Sequence, residues 1–189
     1  MQVTSKEAYK VVRAVLTEKK FKQIEISKKT KVTFSLVNRI IKWMVSLGYV
    51  GKRKGYYELI SPGAIFNLFP LYRQLKPAAS FNVELPPAEA MKMLEGKAAL
   101  CLTSALSFYS DYYRDPAIYA YALDKKLLKD LKDLPEGKTR IEIYDEDLNG
   151  DDFVSEKGVR MTSKIRTVID LYCSNKAYTA EWLVKREFA

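Results

Sequence analysis

The chain has 189 residues, of which 48% are hydrophobic and 12% aromatic, so it can bury one large core or two small ones. It contains no histidine, which excludes Ser-His and Cys-His catalysis and zinc sites that use histidine. No apolar run approaches the ~20 residues of a bilayer span, and the first residues lack the apolar core of a secretory signal. We therefore expect a cytoplasmic protein without membrane contact, with Cys101 and Cys173 as buried, reduced thiols.

The positive charge is concentrated in the N-terminal part of the chain. Residues 1–60 contain 14 Lys and Arg against 4 Asp and Glu, a net charge of +10. Residues 61–189 contain 18 against 19, a net charge of −1. This asymmetry predicts an N-terminal part that binds a polyanion and a neutral C-terminal part.

The first 31 residues predict a helix, a short strand and a short helix. Apolar residues recur at helical spacing over residues 8–16, and Ser5 can cap that helix. The alternating segment Gln23-Ile24-Glu25-Ile26 predicts a short strand. Ser27 can then cap a helix of one to two turns over Lys28–Lys31.

A helix with two different faces is predicted next, with Thr33 as its N-cap and Gly48 in the C′ position after its end. Its inward stripe consists of Val37, Ile40, Ile41, Met44 and Leu47. Its outer stripe consists of Ser35, Asn38, Arg39 and Lys42. Arg and Asn can read base edges with two hydrogen bonds each, and hydroxyls near the helix start can reach phosphates or bases. An ordinary surface helix has the same polar residues, so this helix alone does not decide the function.

Residues 49–60 predict a β-hairpin, because Val50, Tyr57 and Leu59 favour strands and Lys54-Gly55 favours a tight turn. We call the three consecutive cations Lys52, Arg53 and Lys54 the hairpin tip. Such a tip can contact the phosphate backbone or enter the minor groove of DNA. Of Tyr56 and Tyr57, we expect one to face the core and the other to be able to donate to a phosphate.

The segment VTFSLVNRIIKWMVSLGYV resembles winged helix-turn-helix transcription regulators, and the resemblance covers residues 5–60. In that family a small polar residue opens the recognition helix, an Arg lies in its middle, and a glycine with an aromatic residue closes it. Helix, hairpin and charge agree with this resemblance, so we predict DNA contacts from Thr33, Ser35, Asn38, Arg39, Lys42, Lys52, Arg53 and Lys54. The alternative is a winged-helix fold that serves as a protein contact.

The remaining sequence predicts a linker and a mixed α/β domain. The very apolar segment 61–79 predicts a linker helix that is interrupted at Pro70. The pattern predicts helices over 87–94, 98–113, 125–134, 165–172 and 179–187. It predicts strands over 117–123 and 139–144, and one or two more over 153–161.

The acidic segment 145–156 matches the EF-hand pattern D-x-[DN]-x-[DN]-G-x5-E with Asp145, Asp147, Asn149, Gly150 and Glu156. An EF-hand needs a helix before this loop, whereas RIEIY predicts a strand, and Asp152 stands where an apolar residue is normal. We interpret the segment as a solvated turn between two strands, with calcium binding as the alternative.

Two segments, KAALCLTSALSFYS and VRMTSKIRTVIDLY, resemble the C-terminal domain of the AbiEi family of antitoxin-type regulators over residues 90–175. The first carries the Ser-Ala-Leu of residues 104–106. The second carries a T-[SP]-x-x-R-T-x-x-D-L element, which consists here of Thr162, Ser163, Arg166, Thr167, Asp170 and Leu171, with Ser163 at the usual proline position. The resemblance implies regulation of a toxin or another partner. By spacing alone, Arg166 and Asp170 form an i,i+4 helix pair.

No catalytic centre emerges, because a nucleotidyltransferase needs paired carboxylates on a strand and the predicted strand AIYAYA has none. We predict a non-enzymatic regulator of the α+β class without cofactor or metal. It comprises a winged helix-turn-helix over residues 1–60, a linker over 61–79 and a mixed α/β domain over 80–189. The predicted partner is double-stranded DNA, bound by a homodimer on an inverted repeat. The alternative is an antitoxin-type protein whose C-terminal domain binds or neutralises a toxin or other partner.

Overall fold

The computed structural model describes residues 2–111, 113, 115–148, 152–156 and 158–188. The chain divides into two compact units, one of residues 1–73 with 184–189 and one of residues 74–183. Helices and strands occur in both units, which confirms the predicted α+β class.

The first unit alternates helices with the strands of a small sheet. Its helices are α1 (Lys6–Glu18), α2 (Gln23–Thr30), α3 (Phe34–Ser46) and α4 (Pro62–Phe66), and a 3-10 turn follows at Phe69–Leu71. Its strands are β1 (Lys20–Phe21), β2 (Val50–Lys52) and β3 (Tyr57–Leu59). They form an antiparallel sheet in the order β1-β3-β2, in which β2 and β3 are the predicted hairpin.

Helix α1 forms because its apolar residues recur every three to four positions and bury one face. That face contains Ala8, Tyr9, Val11, Val12, Ala14, Val15 and Leu16. The ring of Tyr9 meets that of Phe69 edge to face, with centroids 6.1 Å apart. The predicted helix over residues 8–16 is therefore confirmed.

The predicted strand at residues 23–26 and helix at 28–31 are wrong, because both segments belong to the single helix α2. In a strand Ile24 and Ile26 would face the same side, but in α2 they point in different directions. Ile26 is fully buried, whereas Ile24 is 48% exposed. The carboxylate of Glu25 accepts a hydrogen bond from the backbone N–H of Lys22 at 2.9 Å, which satisfies one donor at the helix start.

The end of α3 is a Schellman motif, which confirms Gly48 as the C′ residue. The N–H of Tyr49 donates to the carbonyl of Met44, and the N–H of Gly48 donates to that of Val45. Gly48 has a φ of 74°, a conformation that other residues adopt at an energetic cost. Gly55 has a φ of 87° and provides the tight turn of the hairpin.

The second unit is built on a mixed sheet of strands in the order β4-β7-β6-β5-β9-β8. These strands are β4 (Ala79–Val83), β5 (Ala98–Leu100), β6 (Ile118–Ala122), β7 (Thr139–Tyr144), β8 (Phe153–Glu156) and β9 (Val159–Thr162). The helices are α5 (Pro87–Leu94), α6 (Leu102–Leu106), α7 (Leu127–Lys132), α8 (Lys164–Cys173) and α9 (Ala177–Phe188), whose last residues belong to the first unit. β6 runs parallel to β7 and β5 parallel to β9, while the other neighbours are antiparallel.

The predicted helix over residues 98–113 is wrong, because its first residues form β5 and, of its described residues, only 102–106 form an α-helix. Ala and Leu favour helices in isolation, but Ala99 pairs with Tyr121 of β6 and is fully buried between sheet neighbours. Leu102 then turns the chain with a φ of 48°. The predictions for β6 to β9 and for α5, α7, α8 and α9 agree with the structure to within a few residues.

Apolar side chains from the sheet and from α5, α6 and α7 form the core of the second unit. Its fully buried members include Ala90, Ala105, Ala120, Ile141 and Ile143. Cys101 and Cys173 are both buried, as predicted, and are not joined by a disulfide. Among the described residues, none of the helices combines the length and apolarity that a bilayer-spanning helix requires.

Candidate nucleic-acid interface

Helix α3 separates its apolar and polar residues onto two faces. Val37, Ile40, Ile41 and Met44 recur at spacings of three and four residues, and each is fully buried. The outer stripe follows the same spacing from the other side, with Ser35, Arg39 and Lys42 exposed and Asn38 half-buried. The buried face fixes the orientation of α3, and the outer stripe is left facing solvent.

The start of α3 is open to solvent. Thr33 is the N-cap residue and is exposed, and its hydroxyl makes no capping hydrogen bond to any described residue. Phe34, the first residue of the helix, is 48% exposed, although an aromatic ring of this size is usually more buried. No role for Phe34 was predicted from the sequence. Its position directly after the predicted N-cap was the one feature of the sequence that could have indicated an exposed ring at the helix start.

The turn between α2 and α3 is held by side-chain hydrogen bonds to the backbone. The hydroxyl of Ser27 donates to the carbonyl of Val32 at 2.7 Å, and that of Thr30 donates to the carbonyl of Ile26 at 2.7 Å. Lys31 adopts a left-handed conformation with a φ of 56°. These contacts define the angle at which α3 leaves the turn.

A side-chain bond between α2 and α3 was not predicted from the sequence. The amide of Gln23 donates to the Oδ1 atom of Asn38 at 3.2 Å. Gln23 is the first residue of α2, a position that was predicted to lie in a strand. The bond therefore attaches a residue of the outer stripe to the preceding helix.

The three cations of the hairpin tip are exposed but not equivalent. The Arg53 Nε atom lies 3.0 Å from a carboxylate oxygen of Glu58, and the Lys20 Nζ atom lies 3.8 Å from the other oxygen. The hydrogen bond from Arg53 and the charges of both cations outweigh desolvation and lower the pKa of Glu58 from its ordinary value. Lys52 and Lys54 have no acidic partner among the residues that the structure describes.

The two tyrosines after the turn point in different directions. Tyr57 stacks on the buried Phe21, with ring centroids 6.0 Å apart and an interplanar angle of 14°. Tyr56 is exposed, so it is the tyrosine whose hydroxyl can reach an external acceptor. The expectation that one of the pair faces the core is confirmed.

In the second unit, Arg166 is fully buried and lies at the centre of what we call the arginine cluster. Its Nε atom donates to Asp170 at 2.9 Å, and Nη2 donates to Asp147 and to the hydroxyl of Tyr121, each at 3.0 Å. Nη1 donates to Glu146 at 3.3 Å, and the guanidinium carbon lies 5.0 Å from the centroid of the Tyr121 ring. The predicted i,i+4 pair is present, but it is part of a buried network and not a surface pair.

Two residues of the acidic segment 145–156, Glu146 and Asp147, accept hydrogen bonds from Arg166. Asn149 and Gly150 of the EF-hand pattern lie outside the described residues. The preceding segment is strand β7, as expected, and a carboxylate oxygen of Asp147 accepts from Arg166. Within the described ranges, no group of three His, Cys, Asp or Glu side chains could hold a metal ion.

A second charged cluster of this unit joins Asp115, Tyr119 and Lys176 beside a groove of about 490 Å³. The Lys176 ammonium lies 2.9 Å from the Asp115 carboxylate and 3.0 Å from the Tyr119 hydroxyl. Desolvation raises the pKa of Asp115, but the bonds from Lys176, the Ala117 N–H and Tyr119 outweigh it and lower that pKa. Desolvation lowers the pKa of Lys176, but its hydrogen bonds to Tyr119 and Asp115 and the charges of these two groups outweigh it and raise the pKa. The charged form of Lys176 is therefore favoured, as expected for a cation bonded to a carboxylate.

The comparisons with known proteins provide no relative on which to base the interpretation. No family model, no curated protein and no solved structure matches this chain. The exposed outer stripe of α3 and the hairpin tip therefore have to be interpreted from their own geometry and charge.

Proposed function

We propose that the chain is a sequence-specific DNA-binding transcriptional regulator whose residues 1–60 act as a winged helix-turn-helix. The observation that carries this proposal is the outer stripe of α3. It is polar over two helical turns, three of its four residues are exposed, and it lies opposite an apolar face that is fully buried. The order α1-β1-α2-α3-β2-β3 supports it, because a helix-turn-helix followed by a hairpin is the arrangement of that family.

In this proposal α3 enters the major groove, and each residue of the outer stripe has a distinct task. Arg39 matches the O6 and N7 acceptors of guanine, and Asn38 matches the N6 and N7 groups of adenine. Ser35 and the N-cap residue Thr33 donate to phosphates or base edges near the helix start. Lys42 adds a cation at the other end of the stripe.

The hairpin tip contacts the phosphate backbone in this proposal. Lys52 and Lys54 contribute most, because they lack acidic partners within the described part of the chain. Arg53 contributes less, because Glu58 already neutralises part of its charge at 3.0 Å. The net charge of +10 over residues 1–60 adds a long-range attraction that acts on any DNA sequence.

The test is the salt dependence of binding to random-sequence duplex DNA. The full chain and the triple variant Lys52→Ala/Arg53→Ala/Lys54→Ala are titrated by fluorescence anisotropy over a range of salt concentrations. Each phosphate contact contributes about 0.9 to the slope of log K against log salt, so the slope should fall by roughly 2 to 3. A decrease in slope of about 2 is expected if Arg53 of the wild type stays bound to Glu58 and makes no phosphate contact.

The matched control removes three exposed lysines of the second unit, Lys125, Lys126 and Lys129. This variant has the same net charge as the triple variant of the hairpin tip, so its slope should stay close to that of the wild type if the contacts are local. No binding by the wild-type chain at low salt, or equal slopes for the two triple variants, would refute the proposal.

We further propose that the regulator binds as a homodimer to an inverted repeat, since two-fold operators match dimeric helix-turn-helix proteins. The mass of the complex with a selected duplex, measured by light scattering, distinguishes one bound chain from two. Two chains per duplex and half-sites about 10 base pairs apart, or a multiple of that, are the expected result. One chain on a single asymmetric site contradicts it.

Most of the residues that carry the resemblance to AbiEi regulators are buried in the second unit, while Ser104 and Ser163 are half-buried. Thr162, Arg166, Thr167 and Asp170 are fully buried, so we assign them to the stability of this unit and not to contact with a partner. In the antitoxin-type alternative, a toxin would bind the outer surface of this unit. Co-purification of the full chain with the products of neighbouring reading frames tests that alternative.

A further inference from the structure

Asn38 differs from the other residues of the outer stripe because its side chain is already bonded within the protein. Ser35, Arg39 and Lys42 are exposed, whereas Asn38 is half-buried and accepts the 3.2 Å hydrogen bond from Gln23. A carboxamide on a surface helix normally rotates about its last torsion and exchanges its oxygen and nitrogen. The bond from Gln23 favours the one orientation in which the Asn38 oxygen faces Gln23.

The frame that holds Gln23 is itself fixed. Gln23 begins α2, whose one fully buried side chain among its described residues, Ile26, anchors the helix in the core. The bond from Ser27 to the carbonyl of Val32 closes the turn that leads to α3. Val37, the neighbour of Asn38, is fully buried on the opposite face. Both ends of the Gln23–Asn38 bond therefore start from anchored backbone.

We propose that Gln23 is a positioning residue of the DNA interface, which holds the carboxamide of Asn38 in the orientation that reads an adenine in the major groove. This inference rests on the proposed DNA-binding function and deepens it. It names the base that Asn38 reads and the residue that makes Asn38 prefer adenine to guanine.

The hydrogen-bonding capacity of Asn38 is sufficient for both tasks. A carboxamide oxygen has two lone pairs and the nitrogen has two hydrogens. Gln23 occupies one lone pair, so Oδ1 can still accept from the N6 amino group of adenine while Nδ2 donates to N7. Guanine presents acceptors at both O6 and N7, so a fixed oxygen at the first position meets an acceptor there and disfavours it. Fixing the oxygen therefore sharpens the choice between the two purines.

The experiment uses the full chain and random duplex DNA as its first probe. Duplexes that the wild type selects identify a preferred sequence, and loss of preference in Asn38→Ala identifies the base pair that Asn38 reads. Affinities are then measured for the selected duplex and for one in which this A·T pair is replaced by G·C. Asn38→Ala should lower the discrimination between them by roughly 5- to 150-fold, the range of one bidentate base contact.

Gln23→Ala and Gln23→Met should lower the discrimination at the same base pair by roughly 2- to 12-fold, because a freed side chain must be ordered on binding. Gln23→Met keeps the length of the side chain and removes the donor, so it separates the bond from simple packing. In an Asn38→Ala background neither change should lower the discrimination further. The matched control is Gln74→Ala, an exposed glutamine of the second unit, which should behave as the wild type.

The outcomes separate this inference from the proposed function. If the wild type binds a selected sequence but both Gln23 variants keep its discrimination, only the inference is overturned. It is also overturned if the variants weaken binding to both duplexes equally, which is the behaviour of a phosphate contact. If the wild type does not bind DNA at all, the proposed function fails and the inference fails with it.

Discussion

Removal of Arg166 should destabilise the second unit more than any surface substitution. The variant Arg166→Met keeps most of the side-chain volume and removes the charge and the donors. It leaves Asp170 fully buried without the guanidinium that lies 2.9 Å from it in the wild type. Breaking a buried ion pair from one side costs about 3 to 5 kcal/mol, because the remaining charge loses its compensation. This is a large part of the roughly 5 to 15 kcal/mol that stabilises a typical domain.

Urea unfolding measures this loss. The chain has two tryptophans, Trp43 in the first unit and Trp182 in the second, so a Trp43→Phe background makes the fluorescence specific to the second unit. With an m value of about 1.5 kcal/mol/M, the urea midpoint should fall by roughly 2 to 3 M. The double variant Arg166→Met/Asp170→Leu should recover most of the lost free energy of unfolding, because a well-packed apolar pair can replace a buried ion pair without destabilising the fold.

The matched control for this prediction is Lys97→Met. Lys97 lies 2.8 Å from Asp130, and the two side chains are 40% and 38% exposed, so its removal should cost no more than about 1 kcal/mol. Glu146 and Asp147 remain in the double variant, and both reach solvent, so they can be hydrated when the arginine is absent. A midpoint shift for Arg166→Met no larger than that for Lys97→Met would refute the reasoning.

Three further predictions concern pH and backbone. The pKa of Asp115 is lowered in the folded state, so its bond to Lys176 stabilises the fold above the ordinary pKa of 3.8 and is lost as the pH falls through the folded value. The difference in melting temperature between the wild type and Asp115→Asn should therefore persist from neutral pH to about pH 4 and shrink below it. Gly48→Ala should cost about 1 to 2 kcal/mol in urea unfolding because of its positive φ, whereas Gly63→Ala, with equally open space and an ordinary φ, should not destabilise. Gly137→Ala should cost about 1 to 3 kcal/mol, since a Cβ atom would lie 2.4 Å from the Cα atom of Glu84, directly after β4.

The sequence predicted the elements whose signal is local. Helix α3 follows from apolar residues at spacings of three and four, and the hairpin follows from the Lys54-Gly55 turn between strand-forming residues. Strand β7 was predicted with its observed bounds, Thr139–Tyr144, because its residues alternate between the two faces. In each case the segment carries enough information by itself to determine its own conformation.

The failures occurred where distant contacts decide the conformation. Nothing in the local sequence of Ala98–Leu100 outweighs its helix propensity, and the pairing with β6 and with Met161 of β9 is what makes it a strand. Strand β4, which was not predicted, lies at the edge of the sheet and also depends on a distant partner, because it pairs with β7. The Gln23–Asn38 bond joins residues 15 positions apart. It could not be predicted once Gln23 was assigned to a strand, because the bond requires Gln23 to be the first residue of α2.

Two groups of charged residues, one in each unit, lie in opposite environments. In the first unit Arg39, Lys42, Lys52 and Lys54 are exposed, and Arg53 is the one member of the hairpin tip with a described acidic partner. In the second unit the most buried cation, Arg166, is surrounded by carboxylates at 2.9 to 3.3 Å. A buried cation whose charge is neutralised by nearby carboxylates contributes to the fold and attracts an external anion only weakly. An exposed cation without such a partner attracts an anionic ligand. Substitutions in the first group should therefore change the salt dependence of binding, and substitutions in the second should change the free energy of unfolding.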